Sequence, residues 1–215
     1  MTQDDSCSSS SSEYPSDCEL TQALLEKARK RQSGTDRGYV WKSCLPKARA
    51  LKLLLLDVDG VLTDGTVTYT NDGNEIKTFH TRDGMGIRML RESGVEVGLI
   101  TARESDALNR RVKDLGLKYV YQNVKRKLAV FEQLLAEIKL QPSEVGYMGD
   151  DWLDLPILVR VGFAATVADA VAEVLQVAHY VTKIKGGRGA VREVCDLILA
   201  AKEADKRLLE KYLEI

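Results

Sequence analysis

Between residues 51 and 57 the chain reads LKLLLLD, four consecutive leucines with no polar break, ending on an aspartate. A strand with one face in water alternates apolar and polar side chains. A short unbroken apolar run instead marks a strand covered on both faces, as in the middle of a parallel sheet. Parallel strands cannot be joined by tight turns and need crossover segments, so the remainder should alternate helix with strand. It does. VTYT (67–70) and EIKTFH (75–80) flank Asn71-Asp72-Gly73-Asn74, which predicts a β-hairpin with a four-residue loop. After it come a helix near 84–92, a strand VEVGLI at 95–100, a helix over 104–115 and a strand KYVY at 118–121. A helix follows on which Leu128, Phe131, Leu135 and Ile138 share one face, then a buried strand VGYM at 145–148. A short helix at about 151–159, a strand GFAAT at 162–166, a helix near 168–177 and a strand HYVT at 179–182 complete the alternation. Past the glycines at 186–189, the stripe Val191, Val194, Cys195, Ile198 and Leu199 predicts a core helix that runs into a charged C-terminal helix. The fold class is α/β, a doubly wound Rossmann-like parallel sheet with one small inserted hairpin at about 64–81.

Charge divides the 215 residues differently. The formal net charge is −1, but residues 1–19 carry −5, residues 20–52 carry +7 and the rest −3. Residues 1–48 read as a disordered appendage. The Ser-rich acidic head has almost no large apolar side chains with which to offset the entropy of ordering. The neck holds LTQALLEKARKR, a short amphipathic helix, and then a Gly-, Arg- and Lys-containing linker. Residues 49–215 form the folded domain. The basic neck has no interleaved aromatics, so no nucleic-acid partner is expected. No apolar run reaches the roughly 18 residues of a membrane span, and the N-terminus lacks the basic start and apolar stretch of a secretory signal. Cys7, Cys18, Cys44 and Cys195 form no CxxC pair and have no His at metal-ligand spacing. A cytoplasmic protein with reduced thiols is the expectation.

In a sheet of this kind ligands bind beyond the carboxyl ends of the strands, and four strand ends carry suitable groups. Asp57 and Asp59 flank Val58 after the leucine run, side by side at the rim because residues i and i+2 of a strand face the same way. Two close carboxylates call for a cation or a shared proton. Thr101 follows VEVGLI and offers a hydroxyl and an N–H to an anion. Lys125-Arg126-Lys127 opens the helix after KYVY. Gly149-Asp150-Asp151-Trp152-Leu153-Asp154 follows VGYM, and three carboxylates within five residues suit a hard cation with oxygen ligands, Mg²⁺. Singly, each has an ordinary structural reading as a turn, a cap or a solvated face. Together they fit phosphoryl transfer, with one carboxylate attacking phosphorus and another moving the proton.

This set resembles the haloacid dehalogenase superfamily, whose four motifs stand here in order as DVDGV, Thr101, Lys127 and GDDWLD. The resemblance implies Asp57 as nucleophile and Asp59 as general acid and then base. It implies Mg²⁺ held by Asp57, the Asp59 carbonyl and Asp150, with Asp151 and Asp154 supporting these ligands from behind. It also favours Lys127 over Lys125 as the motif lysine, from the run Lys127-Leu128-Ala129-Val130-Phe131. DVDGVLTDG (57–65), FHTRDGMGIR (79–88), YMGDDWLDLPIL (147–158) and GGRGAVREVCDLIL (186–199) are similar, more narrowly, to the 3-deoxy-D-manno-octulosonate 8-phosphate phosphatase family, over about residues 50–205. That likeness implies the absence of a large cap domain, a homotetramer in which the hairpins meet at the centre, and a glycine-rich tail over its own or a neighbouring active site. It implies Arg82, Arg88 and Arg188 as holders of an acidic sugar, Arg being suited to bidentate pairing with carboxylates. Ala102 stands where the family has Gly, and His80-Thr81 where it has Asn-Val. The function so implied is Mg²⁺-dependent hydrolysis of the octulosonate 8-phosphate in lipopolysaccharide precursor synthesis. A related nonulosonate 9-phosphate and a catalytically silent tetramerisation module are the alternatives.

Overall fold

The computed structural model describes residues 38–213. The acidic head, the segment LTQALLEKARKR, Cys7 and Cys18 lie outside the described residues. The leucine run forms β1 (Leu53–Leu56), buried at every position. The other core strands are β4 (Glu96–Ile100), β5 (Tyr119–Tyr121), β6 (Val145–Met148), β7 (Phe163–Thr166) and β8 (Tyr180–Val181). They form a six-stranded parallel sheet in the order β5-β4-β1-β6-β7-β8. From β1 the chain winds outward through β4 and β5, then returns to β6 on the other side of β1. The carboxyl end of β1 is therefore the switch point where such sheets bind ligands. Gly98 allows close packing there: a Cβ on it would meet Tyr119 Cβ and the Tyr119 carbonyl at 2.8 Å.

Helices α2 (Thr81–Glu92), α3 (Asp106–Leu115), α4 (Lys127–Ile138), α5 (Leu155–Leu158, preceded by a 3₁₀ turn at Trp152–Asp154) and α6 (Ala172–Val177) make the crossovers. Helices α7 (Ala190–Ala201) and α8 (Asp205–Leu213) close the chain. Helix α2 begins three residues before the expected start. Two glycines in RDGMG obscure it in the sequence, because glycine disfavours a helix interior. Here the glycines serve packing. A Cβ on Gly86 would come within 2.9 Å of Arg192 Cδ and 3.1 Å of Cys195 Cβ on α7. Asp83 of α2 caps α7, accepting a 2.7 Å hydrogen bond from the Arg192 N–H. The expected core stripe of α7 is buried throughout, Cys195 included.

Two expectations need correction. The inserted hairpin exists, but its ladder shortens to β2 (Thr68–Tyr69) and β3 (Glu75–Ile76), paired Thr68 to Ile76 and Tyr69 to Glu75. Little packs on it, and Val67, Tyr69 and Ile76 are 45%, 62% and 49% exposed. The second correction brings Tyr39–Arg49, expected as part of the neck, into the folded domain. Tyr39–Arg49 forms a helix, α1, in which Cys44 and Ala48 are buried, and Trp41 packs edge-on to Tyr180 with ring centroids 5.8 Å apart. Trp41, Cys44, Leu45 and Ala48 are the i, i+3, i+4, i+7 stripe of an amphipathic helix. Pro46 and the basic residues Lys42, Lys47 and Arg49 disguise it as linker.

Candidate active site

Asp57 follows the last residue of β1, Thr101 the last of β4, and Asp150 lies two residues past the end of β6, so the three arrive at one rim. The Asp57 carboxylate is fixed on both oxygens: Oδ1 accepts from the Val58 N–H at 2.7 Å and Oδ2 meets Lys127 Nζ at 2.9 Å. Lys127 is 4% exposed, whereas Lys125 and Arg126 face solvent, so the fold itself distinguishes the three. Burial alone would push the Lys127 ammonium down. Asp57 and Asp154 outweigh that effect and hold it above the usual lysine value.

Asp154 is fully buried and holds the cluster together. Its Oδ1 accepts from Lys127 Nζ at 2.7 Å and from the Tyr147 hydroxyl at 2.6 Å. Its Oδ2 accepts from the N–H groups of Asp150 at 3.0 Å and Asp151 at 3.2 Å. Four donors saturate it, so it orients Lys127 and the Asp150 loop. Asp151 is exposed and caps the 3₁₀ turn, its Oδ1 accepting from the Trp152 N–H at 2.7 Å. Thr101 is buried, with its N–H donating to the Tyr121 carbonyl at 2.9 Å.

Oxygens of Asp57, Asp150 and Asp154 lie within 4.8 Å of one another. Burial, followed by repulsion from Asp154, pushes Asp57 up to about 7. Burial, followed by repulsion from Asp57, pushes Asp150 up to about 8. Asp150 Oδ1 is buried without a hydrogen-bond partner. Gly60, at φ +84°, leaves no room for a side chain beside the Asp150 carboxylate. An unpartnered buried carboxylate oxygen among like charges calls for a cation, and an all-oxygen donor set fits a hard divalent one.

The Asp59 carboxylate diverges from Asp57 and points to the hairpin. Lys77 Nζ donates to its Oδ1, and Arg103 Nε lies 3.9 Å from its Oδ2. Glu75 joins the two cations, meeting Lys77 Nζ and Arg103 Nη2 at 2.9 Å each. The candidate substrate arginines are more dispersed. Arg82 is exposed in the first turn of α2, at the same rim. Arg188 is exposed and pairs with Asp64 at 3.2 Å. Arg88 donates to the Asp114 carbonyl at the C-terminal end of α3, away from the carboxylates of its own chain. The glycine tail lies against the loop after Asp59 of its own chain, with the Gly187 N–H donating to the Val61 carbonyl at 3.0 Å.

Residues 119–193 match the family of haloacid dehalogenase-like hydrolases. The 3-deoxy-D-manno-octulosonate 8-phosphate phosphatase KdsC of Yersinia pestis is 47% identical over 166 residues, which cover 77% of this chain and 89% of that protein. The chain belongs to this phosphatase family. The crystal structure of the Yersinia pestis phosphatase superposes with a TM-score of 0.73 at 48% identity, covering 74% of this chain and 86% of that one. The Moraxella catarrhalis phosphatase, solved with a magnesium ion, a phosphate ion and a KDO molecule, superposes with a TM-score of 0.77 at 36% identity, covering 79% and 98%. The family resemblance read from the motifs therefore holds, as does the parallel α/β fold.

Sequence reasoning missed Lys77, Glu75, Arg103 and Tyr147. Glu75 and Lys77 are two apart in the strand EIKTFH expected from the sequence and so would share a face, the same signal that singled out Asp57 and Asp59. Tyr147 sits inside an apolar run, where a tyrosine reads as core.

Proposed function

We propose that this chain is a Mg²⁺-dependent phosphomonoesterase that hydrolyses 3-deoxy-D-manno-octulosonate 8-phosphate to the free sugar acid and phosphate, in lipopolysaccharide precursor synthesis. The observation that carries the reading is the convergence of Asp57, already oriented by Lys127, with the unpartnered buried oxygen of Asp150.

An Asp57 oxygen attacks phosphorus, the bond to the sugar oxygen breaks, and the Asp59 carboxyl gives its proton to the departing oxygen. The Asp59 carboxylate then takes a proton from a water that attacks the aspartyl-phosphate, phosphate leaves, and the Asp57 carboxylate is restored. Lys127 and Thr101 bind the phosphoryl oxygens, and burial of Lys127 strengthens its pull on them. Asp57, the Asp59 carbonyl and Asp150 would hold the metal, with Asp154 fixing the Asp150 loop. When bound, Mg²⁺ supplies positive charge that offsets both the carboxylates and the phosphate. Arg82 and Arg188, at the mouth, are available to the sugar carboxylate.

Four chains assemble in this reading, through the exposed apolar faces of the hairpins, and the enzyme works in the cytoplasm. Among the described residues no helix is long and apolar enough to cross a membrane.

The test is phosphate release from a panel of sugar-acid and neutral sugar phosphates, with and without Mg²⁺. The octulosonate 8-phosphate should have the highest kcat/KM, and faster cleavage of a nonulosonate 9-phosphate would replace the substrate assignment. Asp57→Asn should abolish release and the acid-trapped phosphoenzyme while the thermal midpoint shows a folded protein. Retained activity would overturn the mechanism.

A further inference from the structure

We propose that Lys77, delivered by the hairpin, is a positioning residue for Asp59 in the second half of the reaction, hydrolysis of the aspartyl-phosphate. The inference rests on the aspartyl-phosphate reading above. Asp57 and Asp59 are two residues apart at the same rim, yet their carboxylates are held by opposite parts of the molecule. Asp57 is held by the core, through Lys127 and the Val58 N–H. Asp59 is held by the hairpin. Among the described residues its carboxylate meets Lys77 on Oδ1 and approaches Arg103 on Oδ2, and no other group bonds it.

The Lys77 side chain is 3% exposed, although it comes from a hairpin whose neighbouring residues are mostly in solvent. A buried ammonium must be paired, and both of its partners here are carboxylates, Asp59 and Glu75. Glu75 in turn meets Arg103, which follows Thr101 of the phosphate-binding loop by two residues. The hairpin is thus tied into the catalytic rim from both sides of Asp59. With so little exposure Lys77 is placed to hold Asp59, not to reach into the site for substrate.

The donor and acceptor inventory decides which step this arrangement serves. Lysine offers only donors, so Asp59 meets Lys77 as an acceptor on Oδ1, while Arg103 Nε, 3.9 Å from Oδ2, is too distant to bond it. The acceptor is the form that takes the proton from the attacking water once the aspartyl-phosphate has formed. Releasing Asp59 from Lys77 lets the carboxylate turn, and a misplacement of about 1 Å at a reacting group costs on the order of 100-fold in rate. The loss should therefore fall on dephosphorylation, a step that every substrate shares.

The test uses the full chain with Mg²⁺, and acid-quench trapping of ³²P-phosphoenzyme at steady state. Two substrates are compared, a sugar-acid phosphate and p-nitrophenyl phosphate, whose leaving group needs no proton. For Lys77→Met, kcat should fall about 10- to 100-fold. The trapped phosphoenzyme should rise to become the dominant enzyme form, and kcat should become nearly equal for the two substrates. Lys77→Arg should restore most of the rate. Because Lys77→Met leaves Glu75 with one cation fewer, Glu75→Gln/Lys77→Met is measured beside it. It should show the same accumulation with a thermal midpoint closer to that of the wild type. Unchanged kcat in Lys77→Met, or reduced kcat without accumulation of phosphoenzyme in either variant, overturns the role. Absence of a trapped phosphoenzyme from the wild type and from Asp59→Asn alike would instead overturn the aspartyl-phosphate reading itself.

Discussion

Asp154 shows how much one fully buried residue can organise without touching a substrate. Its two oxygens take four hydrogen bonds, from Lys127, Tyr147 and two backbone N–H groups. Asp154→Asn turns one of these acceptors into a donor facing donors, and it leaves Lys127 paired with Asp57 alone. Losses at groups that orient metal ligands run to about 10- to 100-fold in metal affinity, and that range is expected here, measured by Mg²⁺ titration of the thermal midpoint. Asp57 and Asp150 make a second prediction, in which the sign matters. Both are pushed above the ordinary carboxylate value, to about 7 and about 8. In the metal-free protein their contribution to stability is therefore complete below about pH 4 and is lost as pH rises through the folded-state values. Mg²⁺ requires the deprotonated forms. The Mg²⁺-induced rise in thermal midpoint should thus be small at pH 5 and largest at pH 8, and Asp150→Asn should raise the metal-free midpoint at pH 8 while removing the Mg²⁺ response. A Mg²⁺ response independent of pH would contradict this assignment. At this scale every carboxylate of the cluster was legible in the sequence. Asp151 was expected in a supporting role that the structure gives to a turn cap, because spacing cannot tell which of three neighbouring carboxylates turns inward.

Elements carry these residues, and the tightest contact between elements is made by glycine. A Cβ on Gly186 would lie 1.7 Å from the Gly60 carbonyl oxygen, and one on Gly187 would lie 2.4 Å from the Asp64 N. The segment before α7 is therefore packed directly on the loop that holds Asp59 in place. Gly186→Ala must displace one of the two, so kcat should fall by about 10-fold or more with only a modest change in thermal midpoint. Equal activity in this variant would show that the loop and the tail move independently. Helix α1 makes the opposite test, of stability without chemistry. It buries Cys44 and Ala48 and holds the Ala201 carbonyl through Arg49 at 2.9 Å. A chain beginning at residue 50 should lose at least about 5 °C in thermal midpoint while keeping Mg²⁺-dependent phosphate release at low temperature. The strands of the central sheet were legible because a short unbroken apolar run suits a strand covered on both faces and little else. Helix α1 was not legible, because its stripe of four is narrow and Pro46 interrupts it. The start of α2 was hidden for a different reason: Gly84 and Gly86 answer to Arg111 and α7 rather than to helix propensity.

For the whole molecule, the near-zero net charge of −1 excludes long-range attraction of an anionic substrate, so affinity has to be local. The proposed tetramer would depend on local contacts as well. A two-stranded hairpin is marginal on its own in water, yet this one bears Ile76 half in solvent on its outer face, while the inner face, with Tyr69 and Glu75, fixes Lys77 against Asp59. Burying the outer face against other copies of the chain would remove apolar surface from water and hold the inner face in place in the same step. Assembly and turnover should therefore be coupled. The wild-type chain should sediment as a tetramer. Ile76→Glu places a charge on the exposed face, beside Thr68 and opposite the face that carries Glu75 and Lys77. It should shift the sedimenting mass toward the monomer and lower kcat as the hairpin loosens, with both quantities recovering together as protein concentration is raised. A monomeric Ile76→Glu protein with wild-type kcat would show that the hairpin holds Asp59 without help from its neighbours. A wild-type monomer with full activity would remove the tetramer from the mechanism.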